Sequence, residues 1–266
     1  MEFKGVMGGF YRISEWIMRF TVTNLLWLLC SAPFMFFLLM KLLMAANGYP
    51  NESLQMSWAM GISAPFTLFP ATAAMFTVAR KWVMGDTEVK LLSTFFKGYK
   101  ENYKQAMVGG IFYTLLFFIM YVDYTVYMTQ FESLQIIGWL MLGLLIVLLI
   151  SSFNFFSMIV HYHMKTFTLL KNSVLLTLFR PVRVILTALI SFGLIFIGLS
   201  YPKILPLLLF FFGSVVAYYA YFNFNATYQK MQDQQERMKQ QEEEQTEENA
   251  QLELMDVQAS EENKKS

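Results

Sequence analysis

Charge is scarce in this 266-residue chain. Asp, Glu, Lys and Arg make up 15% of it, hydrophobic residues 56%, and the mean hydropathy is +0.44. Soluble domains carry about 25% charge, so too few charged residues are present to coat a water-facing surface of this size. Cysteine is nearly missing. Cys30 stands alone, which excludes an internal disulfide and any zinc site built on cysteine pairs. Histidine is represented by His161 and His163 only, flanking Tyr162. On a helix, positions i and i+2 point in different directions, so the pair chelates poorly. Also missing are the GxxxxGK[ST] phosphate loop, HExxH, GxSxG, a dinucleotide fingerprint and a cysteine pair. The sequence therefore reads as a non-enzyme with no cofactor and no metal. A single-chain ATPase activity is excluded.

What the chain has is long apolar runs. A helix needs about 20 mostly apolar residues to cross the hydrocarbon core. Six stretches qualify, at approximately 16–44, 56–78, 107–128, 134–161, 184–199 and 205–224, the fifth being the shortest. The last two are parted by Tyr201-Pro202-Lys203-Ile204-Leu205-Pro206, read as a tight turn because proline is poor in a helix interior. The first run is too long for a cleavable signal peptide, and no small-residue cleavage site follows it. The expected fold class is an all-α polytopic membrane helix bundle of about six spans, in the plasma membrane, with the lipid bilayer as its first partner.

The net charge of +1 hides an asymmetry. Residues 1–225 hold 15 basic and 8 acidic side chains, and residues 226–266 hold 5 and 11. This break separates a membrane domain (1–225) from an acidic Gln/Glu-rich tail (226–266), which reads as a solvated helix fading into disorder after about Gln245. The segments before span one, between spans two and three, between spans four and five, and the tail hold 18 Lys and Arg. The opposite loops hold only Lys41 and Lys203. Basic loops stay inside, so both termini are assigned to the cytoplasm. The basic residues are scattered between apolar spans and form no stripe, so nucleic acid is not an expected partner.

Two cytoplasmic segments are amphipathic. Over 80–105, Val89, Leu91, Leu92, Phe95 and Phe96 alternate with Lys90, Lys97 and Lys100. Over 163–183, Leu169, Leu170, Val174, Leu175 and Leu178 form a stripe before Pro181. Such faces suit the inner membrane surface, a partner protein, or packing beneath the bundle.

Polar residues inside lipid invite a functional reading. Asp123 is the one acid within a span. It is suited to binding a cation, relaying protons or accepting sugar hydroxyls, or else it reaches water at the outer surface. Asn24, Trp27 and Ser31 share a face of span one, available to a ligand or as helix–helix glue. Asn154, between Phe153 and Phe155, has the same two readings. Pro65 and Pro70 each remove a backbone hydrogen bond from span two, with Thr67 and Thr72 on hand to satisfy the freed carbonyls. A broken helix at mid-membrane builds binding sites in transporters and elsewhere merely shapes the helix.

At this point the chain resembles a known group. Asn24-Leu25-Leu26-Trp27, followed by Pro33, resembles the opening of the YesL family of predicted bacterial integral membrane proteins. Pro70-Ala71-Thr72-Ala73-Ala74-Met75, then Arg80-Lys81-Trp82 and Gly85-Asp86, resembles that family's second helix and its exit. Phe95-Phe96-Lys97, Asn102-Tyr103-Lys104-Gln105-Ala106 and Leu170-Lys171-Asn172-Ser173 continue the resemblance, which covers roughly residues 5–225. It implies a multi-span helical protein of unknown function, associated with carbohydrate uptake in Gram-positive bacteria. It carries over no catalytic residue. Two readings result. One is an accessory or regulatory membrane subunit for oligosaccharide uptake, meeting importer components through 80–105 and 163–183. The other is a self-contained small-solute transporter or channel lined by Asn24, Trp27, Asp123 and the broken second span. The Glu-Ala-Ala…Gly loop of a binding-protein-dependent permease is missing, so the chain is not expected to couple to the ATPase itself.

Overall fold

The computed structural model describes residues 6–179 and 181–265; Lys4 and Arg180, counted above for orientation, lie outside them. Among the described residues there is no strand. Nine α-helices follow in order: α1 (Val6–Cys30), α2 (Ala32–Ala46), α3 (Pro50–Ser63), α4 (Leu68–Val83), α5 (Leu91–Thr129), α6 (Gln135–His161), α7 (Thr166–Phe179), α8 (Pro181–Ser200) and α9 (Leu205–Lys265). The chain divides into two units, Met1–Phe224 and Asn225–Ser266.

The first unit is an all-α membrane helix bundle. α5 and α6 are each long and apolar enough to cross a membrane, and the number of crossings rises to four if each of two bent pairs counts as one. The expectation of six adds α8 and the start of α9. The apolar stretch of α8, Ile185–Gly198, falls among the shorter helices, and several side chains at 181–184 and 199–207 lie outside the described residues. The 201–206 segment turns as expected, through a short 3-10 helix at Pro202–Ile204.

The first apolar run is not one helix. α1 and α2 meet at Ser31 with a bend of 81°. Pro33 is the cause: it lacks the N–H that would reach Leu29, and its ring clashes with the preceding turn. Ser31 softens the break by donating its hydroxyl to the Trp27 carbonyl at 2.7 Å. The second run is broken as the sequence predicts, with a bend of 53° between α3 and α4. α2 and α3 pair as a hairpin closed at Gly48, whose φ of +79° suits a residue without a Cβ.

α4 sits at the centre, against α1, α5 and α6. Its small residues allow this: Ala71, Ala73 and Ala74 are fully buried. α5 closes on the same core through two glycines. A Cβ on Gly109 would lie 2.2 Å from the Phe155 ring, and one on Gly110 would lie 2.8 Å from the Pro65 Cα. Large apolar side chains such as Leu29, Ile136, Leu189 and Phe196 face outward, as lipid-facing positions do.

The 80–105 segment is mostly the first part of α5, continuous with the span. The 163–183 segment also differs from a surface loop. Within α7, Leu169, Leu170, Ser173 and Thr177 are buried against the bundle, leaving Phe167, Leu178 and Phe179 outside. Two of the five expected stripe residues, Leu169 and Leu170, are thus spent on internal packing.

The second unit is the remainder of α9, helical to Lys265 rather than ending near Gln245. No proline or glycine follows Gly213, and Gln, Glu, Lys, Met and Ala are good helix formers.

Candidate functional site

The polar residues of the spans meet in small groups at helix crossings. At the first, Asn24 on α1 is 1% exposed and reads the backbone of α9 on both sides. Its Nδ2 donates to the Leu209 carbonyl at 2.6 Å, and its Oδ1 accepts from the Ser214 N–H at 3.1 Å. The Ser214 hydroxyl returns the contact by donating to the Phe20 carbonyl at 2.9 Å. The approach requires Gly213, where a Cβ would lie 2.7 Å from Asn24 Oδ1. One turn along α1, Trp27 Nε1 donates to Thr72 Oγ1 at 3.0 Å, and Thr72 donates to the Leu68 carbonyl at 2.7 Å.

Pro65 and Pro70 behave differently from each other. Pro65 lies in the break between α3 and α4, where Thr67 donates its hydroxyl to the Ser63 carbonyl at 2.9 Å. Pro70 lies in the first turn of α4. The N–H groups on either side still bond back, Phe69 to the Ala64 carbonyl at 3.0 Å and Ala71 to the Thr67 carbonyl at 3.2 Å, so the proline removes one link of the ladder. The carbonyl it leaves without a helical donor is that of Phe66. Tyr103 on α5 supplies one, donating its hydroxyl at 3.3 Å. Thr72, expected to satisfy this break, bonds within its own turn instead.

The second group was missed by the sequence reading. Tyr113 on α5, Ser151 on α6 and Ser173 on α7 are fully buried together. The Tyr113 hydroxyl lies 2.8 Å from Ser151 Oγ and 3.0 Å from Ser173 Oγ. Beside them, Asn154 Nδ2 donates to Thr177 Oγ1 at 2.8 Å, and Thr177 donates to the Ser173 carbonyl at 2.8 Å. The signal was present as Ser151, Asn154 and Ser157 at three-residue intervals, with Ser152 the one further polar residue between Leu134 and Val160 after Gln135. What hid it was the assignment of α7 to the surface.

A third group marks the end of α6. Arg80 Nη1 donates to the Val160 carbonyl at 2.7 Å. That carbonyl belongs to the last turn, which lacks internal donors and favours positive charge. Beside it, His161 Nδ1 lies 2.8 Å from the buried Tyr221 hydroxyl. On the same side of the bundle Trp16, Phe20, Trp82 and Tyr218 pack in edge-to-face and tilted pairs, with ring centroids 5.3–6.5 Å apart, and Arg19 lies over the Trp16 ring.

Asp123 joins none of these. It is half-buried on α5, and among the described residues no hydrogen bond or ion pair reaches it. The structure thus brings Asn24 and Trp27 to neighbouring contacts, links Pro70 to Tyr103, and leaves Asp123 and Asn154 elsewhere. Among the described residues no three His, Cys, Asp or Glu side chains converge as metal ligands. Chemically these groups can fasten helices: each amide or hydroxyl finds its partner on a neighbouring helix or its own preceding turn.

The arrangement defines an integral membrane helix bundle fastened by buried amide and hydroxyl contacts. A family model described as a protein of unknown function, DUF624, matches residues 20–124. The chain is 31% identical over 220 residues to the uncharacterized protein YteU of Bacillus subtilis (strain 168), covering 82% of this chain and 84% of that protein. It is 25% identical over 212 residues to the uncharacterized protein YesL of the same organism, covering 80% and 86%. The chain belongs to this YesL-like family, whose function is unknown. No solved structure matches the chain.

Proposed function

We propose that the protein is a non-enzymatic, multi-pass accessory subunit of the plasma membrane, with both termini in the cytoplasm, that serves an importer of oligosaccharides. The carbohydrate link is what the family resemblance implies. One observation supports the accessory role over a transport path. Of the side chains that would line such a path, Asn24 and Trp27 are held by a neighbouring helix, as Asn154 is, and Asp123 alone makes no bond among the described residues. The lysines of the cytoplasmic segments, by contrast, remain exposed. A side chain already holding two helices together gains little by exchanging that bond for a passing solute.

The test is purification of the full chain from native membranes in mild detergent, followed by mass spectrometry. Importer components should accompany it in stoichiometric amounts. Their complete absence overturns the reading.

The bends at Ser31 and Pro65 favour a second reading, a self-contained transporter, because broken helices frame binding sites in such proteins. Solute flux into liposomes holding the pure protein, reduced by Asn24→Leu and Asp123→Asn with folding intact, supports that alternative. Silent liposomes count against it.

A further inference from the structure

We propose that α2 and α3 form a lid that swings as one body about an axis through Ser31 and Thr67, and that Trp58 latches it onto α5 against Phe118. The lid stands apart from the accessory reading and does not depend on it.

Both joints are anchored in the core. Ser31 is fully buried and Ala64 nearly so. Trp27, four residues before Ser31, donates from Nε1 to Thr72, five residues after Thr67, so one hydrogen bond pins both ends of the lid. Tyr103 holds the Phe66 carbonyl inside the second joint. At the joints the backbone leaves the helical range: Ser31 has φ −97° and ψ 12°, and Thr67 has φ −123° and ψ −57°. Pro65 has no N–H with which to carry the helical ladder through. The Phe69 N–H instead bonds the Ala64 carbonyl, five residues back, at 3.0 Å. Residues at the ends of elements are the ones that absorb the φ and ψ changes of a hinge.

Beyond the joints the hold on the bundle is slight. No residue of α2 or α3 is buried, and between residues 32 and 63 only Phe34, three residues from Ser31, packs on the core. Farther out, the Trp58 and Phe118 rings lie 4.8 Å apart with both side chains still exposed. Between latch and joint, a Cβ on Gly61 would sit at an ordinary 3.8 Å from Thr114 Cγ2. The two lid helices hold each other more firmly. The Asn47, Gly48 and Tyr49 N–H groups close their turn on the Leu43, Ala45 and Met44 carbonyls, and Ser53 donates its hydroxyl to the Lys41 carbonyl at 3.4 Å. Apart from Lys41, α2 is apolar throughout. In water, burial of that surface would press the lid onto the bundle. Lipid tails are as apolar as leucine, so in a membrane the hold reduces to packing and hydrogen bonds. One aromatic pair then sets how far the equilibrium favours the lid lying on the Thr114–Phe118 face of α5.

The experiment uses the full chain in phospholipid nanodiscs, with Cys30→Ala removing the native thiol. Cysteine-linked spin labels replace Tyr121 on α5 and either Leu42 on α2 or Leu54 on α3, all exposed positions. Double electron–electron resonance should show, for both pairs, a major shorter distance and a minor longer one. Trp58→Ala should raise the longer population about fivefold in both, the effect of losing one aromatic pair. Phe118→Ala should do the same from the α5 side, and takes its place if Trp58→Ala does not accumulate. A control pair at Leu25 and Ile146, in the body of the bundle, should keep a single distance throughout. A single lid distance that ignores both substitutions, a change confined to one of the two lid labels, or a control pair that changes with them would each overturn the lid.

Discussion

The Tyr103 hydroxyl donates to the Phe66 carbonyl, the group that Pro70 leaves without a helical donor, at 3.3 Å. A side chain on α5 thus completes the backbone of α4 across the helix–helix contact. Removing it by Tyr103→Phe should destabilise the protein by about 0.5–1.5 kcal/mol. Pro70→Ala supplies an N–H in its place, so in the double variant the loss should shrink. Reversible SDS unfolding of the four proteins measures the coupling, and strict additivity would refute the link.

Asn24 and Gly213 form a second interlocked pair. Gly213→Ala introduces a Cβ 2.7 Å from Asn24 Oδ1, and the side chain must give way. The expected cost is about 1–3 kcal/mol. Asn24→Leu leaves the Leu209 carbonyl without its second donor and should cost about 1–2 kcal/mol. A thermal unfolding midpoint unchanged in both variants would show that α1 and α9 do not meet here.

Gly109 meets the Phe155 ring more closely still, with a Cβ position 2.2 Å away. Gly109→Leu should therefore prevent accumulation of folded protein, while the added Phe155→Ala should restore part of it by opening space. Fluorescence size-exclusion chromatography of detergent extracts reads the outcome.

Tyr113 pins α7 through Ser173. Tyr113→Phe should leave the fold intact but raise the labelling rate of a cysteine placed at Leu170, buried on α7, by about tenfold, the change that corresponds to about 1.4 kcal/mol in the opening equilibrium. Labelling as slow as in the parent would remove the hydroxyl cluster from that role.

Asp123 makes no bond among the described residues, so Asp123→Asn should shift stability by less than about 0.5 kcal/mol. Under the accessory reading it should also leave sugar-dependent growth unchanged.

Much of the bundle was legible because lipid imposes a coarse rule. A run such as Leu134–Val160, with no charge at all, has one soluble alternative to avoid and one way to do so, a helix with its carbonyls satisfied internally. The break near Pro65 was readable for a related reason, since proline removes a donor wherever it falls. The break at Pro33 was not read, because it sat inside a run whose composition alone satisfied the length of a span.

The sequence by itself determined the solvent, the helical class, the family and the sign of each end's charge, all of which depend on composition summed along the chain. Tertiary structure alone decided that Tyr103 answers Pro70, that Asn24 grips α9, and that α7 folds inward onto Ser151. Each of these joins residues distant in the chain, and a hydrogen bond reaches only about 3 Å. Which donor finds which carbonyl is therefore fixed by how the helices cross.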